Sequence, residues 1–118
     1  MPERFNEEFW SYLDKLVEKS QIVIDRPKDS THPIYEEAIY PLDYGYLAGT
    51  TSSDGAGIDV WVGEQPEQSI VAIVCTVDLI KRDTEIKILV GCTEDDMRKI
   101  VDFLNKGDGM RSFFVRRD

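Results

Sequence analysis

The sequence predicts an α+β protein, mainly antiparallel β: a small closed or partly open β-barrel flanked by an amino-terminal and a carboxy-terminal helix. Two amphipathic helical segments bracket the chain. Between them lie short runs rich in β-branched and aromatic residues, separated by turns built from Gly, Pro, Asp and Ser. No repeat, low-complexity tract or linker interrupts this order, so residues 1–118 read as a single domain.

In the first segment Phe5, Phe9, Tyr12, Leu13 and Leu16 recur at helical spacing, with Asn6 as an N-cap. A short strand follows from Gln21 to Arg26. Pro27 to Pro33 must be loop, because two prolines and a polar cluster deny the backbone a ladder. Residues 39–47 are aromatic and extended in character, 49–57 form a glycine- and serine-rich turn, and Ile58 to Val62 restarts a strand. Ser69 to Ile80 reads as a strand long enough to bulge, and Glu85 to Val90 as its hairpin partner after a turn at 81–84. Thr93 opens a capped helix with Met97, Ile100, Val101 and Leu104 on its apolar stripe, and Gly107 ends it. Arg111 to Val115 is a candidate last strand.

Composition narrows the functional classes. With 42% hydrophobic and 31% charged residues, the chain has the balance of an ordinary soluble protein, and no apolar run reaches transmembrane length. The first residues lack the basic-then-apolar order of a signal peptide, so a cytoplasmic location is the default expectation. A net charge of −9 argues against a nucleic-acid backbone or a membrane surface as partner. Phosphate remains compatible with so acidic a chain if metal ions neutralise the carboxylates around it. Cys75 and Cys92 are expected to be free thiols, and the lone His32, without paired Cys or His ligands, supports no zinc site.

The chemistry concentrates between Tyr40 and Val62, YPLDYGYLAGTTSSDGAGIDVWV. Asp54 lies in a glycine turn and Asp59 opens the next strand, so the loop can aim both carboxylates at one point. Hard oxygen ligands of this kind suit Mg2+, with Mn2+ as the second choice. Asp83, Glu85 and Lys87 share strand parity and project from one face if the strand reaches back to Asp83. The plainer readings are an Asp-Gly turn and a solvated strand face with an ion pair. Tyr44 reads as a rim or core aromatic able to hydrogen-bond a phosphate, and Lys106 as a cation near a helix end.

Taken in order, these pieces resemble the soluble inorganic pyrophosphatases (family I), with this chain a shortened and divergent member. Ile24-Asp-Arg-Pro-Lys-Asp-Ser30 is similar to the family's early acidic segment, Tyr40-Pro-Leu-Asp-Tyr-Gly-Tyr46 to its aromatic signature, and Asp54 to Asp59 to its metal loop. The resemblance implies an OB-like barrel and metal-dependent hydrolysis of a phosphoanhydride, diphosphate first. It implies metal ligands at Asp54, Asp59, Asp83, Glu85 and Asp25, catalytic roles for Asp59, Lys87 and Tyr44, and substrate contacts from Tyr44, Lys87, Lys106 and Lys28. It also implies a small phosphate-containing partner and leaves homo-oligomers open.

The family loop carries a middle carboxylate where this chain has Ala56, and the resemblance implies that a hairpin bearing a phosphate-binding arginine is missing. Arg26 or Lys28 could replace that cation in space. An alternative of another class follows from Ala56: a metal- and phosphate-binding module without hydrolysis, or a protein-interaction domain.

Overall fold

The computed structural model describes residues 3–118, with no account of the side chains of Glu3 and Arg4. The element order is α1 (Glu3–Glu18), β1 (Ile22–Arg26), β2 (Asp43–Leu47), β3 (Ile58–Val62), β4 (Ile70–Asp78), β5 (Asp83–Val90), α2 (Glu94–Leu104) and β6 (Met110–Arg116). The strands form one mixed six-stranded sheet in the order β1-β2-β3-β5-β4-β6. It is open, with β1 and β6 at its edges. All pairings are antiparallel except β3 with β5, which run parallel with Val60 opposite Ile88 and Trp61 opposite Leu89.

Strand alternation divides the core into two layers, one on each face of the sheet. On one face Trp61, Ala72, Val74 and Leu89 pack with Leu42, Tyr40 and the α2 residues Met97 and Ile100. On the other, Val60, Ile73 and Ile88 pack under Trp10, Leu13, Leu16 and Val17 of α1. Arg117, just past β6, forks onto Asp14 of α1 with bonds of 2.8 and 2.7 Å, tying that helix to the sheet edge.

The helix α2 starts as its sequence predicts. Thr93 is the N-cap, and a reciprocal bond pair links it with Asp96. Its end is set by Asn105 as C-cap, two residues before Gly107. The helix α1 departs from expectation in two ways. Asn6 lies inside it rather than at its start, and the buried stripe runs through Trp10, Leu13, Leu16 and Val17. Tyr12 is 68% exposed and Phe9 43% exposed, because the helix meets the sheet through Trp10, one residue on from Phe9. Residues 39–42 are not strand. Ile39 makes a single bridge to Thr31, and Tyr40 and Leu42 enter the core as loop residues. Among the described residues no helix is long and apolar enough to cross a membrane.

The corrected stripe predicts that Trp10→Ala lowers unfolding stability by about 3–5 kcal/mol, whereas Tyr12→Ala changes it by less than about 0.5 kcal/mol. Urea denaturation of the two variants checks this.

Candidate active site

At one end of the sheet, strand parity and a turn bring an acidic cluster together over a buried cation. Asp83, Glu85 and Lys87 alternate along β5 on the face that also carries Leu89, so all three look toward the α2 side of the sheet. The parallel pairing sets β3 beside β5 and places Asp59 next to Lys87. Lys87 Nζ lies 2.7 Å from Asp59 Oδ2, 3.5 Å from Glu85 Oε2 and 3.0 Å from Tyr44 Oη. Its side chain is 7% exposed and that of Glu85 8% exposed, so this ion pair is shielded from water.

Asp54 reaches the cluster from the 48–57 loop. Its Oδ1 accepts from Ser52 Oγ at 2.6 Å and from the Ala56 amide at 2.9 Å, closing a tight turn in which Gly55 takes φ 85°. Ser53 Oγ donates to Thr84 O at 2.8 Å and pins the loop to β5. One carboxylate oxygen each from Asp54, Asp83 and Glu85 then lies within 4.8 Å of the others. The donor set is all hard oxygen and fits a small divalent cation. The crowding is visible in the protonation of the metal-free protein. Burial, with the neighbouring Asp59 and Asp54 carboxylates, pushes Glu85 from 4.5 up to about 7. The hydrogen bonds from Ser52 and Ala56 hold Asp54 down at about 2.

These groups line a cavity of about 270 Å³ that also takes in Asp25, Arg26, His32 and Lys81. Asp25 and Arg26 are consecutive, and alternation would put them on opposite faces. A bulge in β1 pairs Ile24 with Gly45 and Arg26 with Tyr44, leaving Asp25 unpaired, and both residues reach the cavity. Arg26 makes no ion pair among the described residues. Burial drives the Tyr44 hydroxyl well above the usual tyrosine range, so it stays a phenol. Burial opposes the charge on Lys87, yet Tyr44 and Asp59 hold its pKa above that of an ordinary lysine.

Seven of the nine residues singled out in the sequence line this cavity: Asp25, Tyr44, Asp54, Asp59, Asp83, Glu85 and Lys87. Lys28 and Lys106 do not; Lys28 pairs instead with Glu64 at 3.6 Å. Sequence reasoning passed over Lys81 and took His32 only as a lone histidine without zinc partners; it named Asp25 and Arg26 but not the β1 bulge that brings both to the cavity. A polar pair at the end of a strand carries no local signal of a bulge, since that depends on the partner's register. Raised protonation of Glu85 has a sign. The folded protein binds more protons than the unfolded chain between pH 4.5 and about 7, so this group's stabilisation is present below 4.5 and lost as pH rises through 7. Metal-free protein should lose stability across that window, and Glu85→Gln should flatten the slope, as thermal melts at stepped pH would show.

No protein-family model matches the chain, and no curated protein matches its sequence. Solved structures do. The inorganic pyrophosphatase of Helicobacter pylori superposes with a TM-score of 0.62 at 15% identity, over 82% of this chain and 82% of its own. That of Neisseria gonorrhoeae gives 0.58 at 17% identity, over 83% and 75%. An inorganic pyrophosphatase from Coxiella burnetii gives 0.53 at 16%, over 67% and 65%. The chain therefore has the fold of the inorganic pyrophosphatases, in a sequence only 15–17% identical to theirs.

Proposed function

We propose that the protein is a divalent-metal-dependent hydrolase of a phosphoanhydride, with diphosphate as first substrate and Mg2+ as first metal. The convergence of Asp54, Asp83 and Glu85 within 4.8 Å, beside the buried Lys87, carries this reading. The cavity of about 270 Å³ supports a compact anion, being smaller than the roughly 300–1,000 Å³ of pockets that enclose drug-sized ligands.

A bound divalent ion would supply Lewis acidity, lowering the pKa of a water and neutralising phosphate charge. The remaining work falls to the chain. Lys87 donates to Tyr44 Oη, which leaves the phenol hydrogen free for Asp59 or a phosphate oxygen. Arg26, without an ion-pair partner among the described residues, lines the cavity and offers a planar fork to two phosphate oxygens. Lys81 adds positive charge near Asp54. Position 56 carries a methyl group, and Asp54 at about 2 is too weak a base to take a proton near neutrality. Asp59 Oδ1, the oxygen not held by Lys87, is the proton acceptor in this scheme. Holding the reacting atoms in line is most of the catalysis that such a transfer needs.

Ala56 favours a second reading, a metal- and phosphate-binding protein without turnover. One assay separates the two: phosphate release from diphosphate with Mg2+ or Mn2+. The hydrolase reading expects release that falls on the order of 100-fold in Asp54→Asn, with stability unchanged, since Asp54 is exposed. Release indifferent to Asp54→Asn defeats it. Silence in the natural protein and activity in Ala56→Asp would establish the second reading.

A further inference from the structure

His32 stands on none of the elements that carry the acidic cluster, yet it reaches the same cavity from the connection between β1 and β2. That connection folds back on itself. Thr31 bridges Ile39, the His32 amide donates to Ala38 O at 2.9 Å, and the Tyr40 amide donates to Ser30 O at 2.9 Å. The half-buried imidazole stacks on Tyr40 with 6.3 Å between centroids and 6° between planes. Tyr40 in turn packs on Tyr44 at 5.5 Å, the phenol bonded to Lys87.

The ring's two nitrogens are not equivalent. Nδ1 lies 3.0 Å from the Ile34 amide and 3.3 Å from the Tyr35 amide and accepts from both. A nitrogen receiving two amide hydrogens carries no proton, so the neutral ring holds its proton on Nε2. Nε2–H has no partner among the described residues. This tautomer cannot ligate a metal through Nε2, and protonating Nδ1 would break both loop contacts. The loop thus holds the ring through Nδ1 and leaves Nε2–H without a partner among the described residues, in a cavity that Arg26 also lines.

We infer that His32 is a further substrate-binding residue, donating Nε2–H to a phosphate oxygen in the cavity it lines. The assignment rests on reading the cavity as a diphosphate site, and it assigns the 27–42 loop a direct part in recognition. Asparagine in place of His32 can keep an acceptor near Nδ1 but loses the far donor. Glutamine can place an amide hydrogen near Nε2.

Long-range proton–nitrogen spectra of protein with 15N-labelled histidine read the tautomer, and titration with methylenediphosphonate and Mg2+ reads binding without turnover. The Nε2–H tautomer is expected, with its resonance shifting as the analogue saturates. Binding should weaken roughly five- to tenfold in His32→Asn and stay within about twofold in His32→Gln. An unmoved Nε2 signal at saturation, or equal losses in both variants, overturns the role of His32 and leaves the diphosphate site standing. An analogue that does not bind the natural protein overturns both.

Discussion

Lys87 is a cation held 7% exposed beneath an acidic cluster, and the arrangement of the site follows from what that burial requires. An unpaired ammonium there would cost several kcal/mol, so the surrounding elements must deliver acceptors with good geometry. Asp59 arrives from β3 and Tyr44 from β2, while Glu85 comes from β5 itself. Strands β2, β3 and β5 are adjacent in the sheet, and their register brings the three acceptors to Lys87. Directly below, Trp61 and Leu89 sit one alternation further along the same strands and continue into the α2 core. The ion pair thus marks the boundary where a packed layer becomes a polar cavity.

Carboxylates in the cluster are not equivalent, and their differences come from hydrogen bonds and burial rather than from residue type. Asp54 is exposed but locked by Ser52 and the Ala56 amide, which keeps it ionised and fixed in direction. Glu85 is buried against other carboxylates and holds its proton nearly to neutrality when no cation is present. An anionic centre so divided is poised for a divalent cation, whose charge would relieve the repulsion at Glu85. Ala56 sits at the hinge of this arrangement. Its amide orients Asp54, while its side chain leaves the turn without a third carboxylate.

The two faces of the sheet have different tasks. The α1 face is apolar around Trp10, Val60 and Ile88. The α2 face is apolar only as far as Trp61 and Leu89, beyond which Asp59 and Lys87 replace them. One set of strands therefore serves stability on one side and a site on the other.

Local information determined a good part of this. Parity along β5 is fixed by a two-residue repeat, so Asp83, Glu85 and Lys87 were legible as one face, and the glycine turn marked Asp54 with Asp59. The cap at Thr93 was legible for the same reason, because its partners lie within three residues. Tertiary structure alone decided the rest. The parallel β3–β5 contact that sets Asp59 against Lys87 and the bulge that turns both Asp25 and Arg26 inward join residues distant in sequence, and the loop that seats His32 on Tyr40 folds back with no regular repeat to announce it. Side-chain alternation states which face a residue occupies, but not which strand will lie beside it, and register is settled only when the whole sheet closes over its two apolar layers.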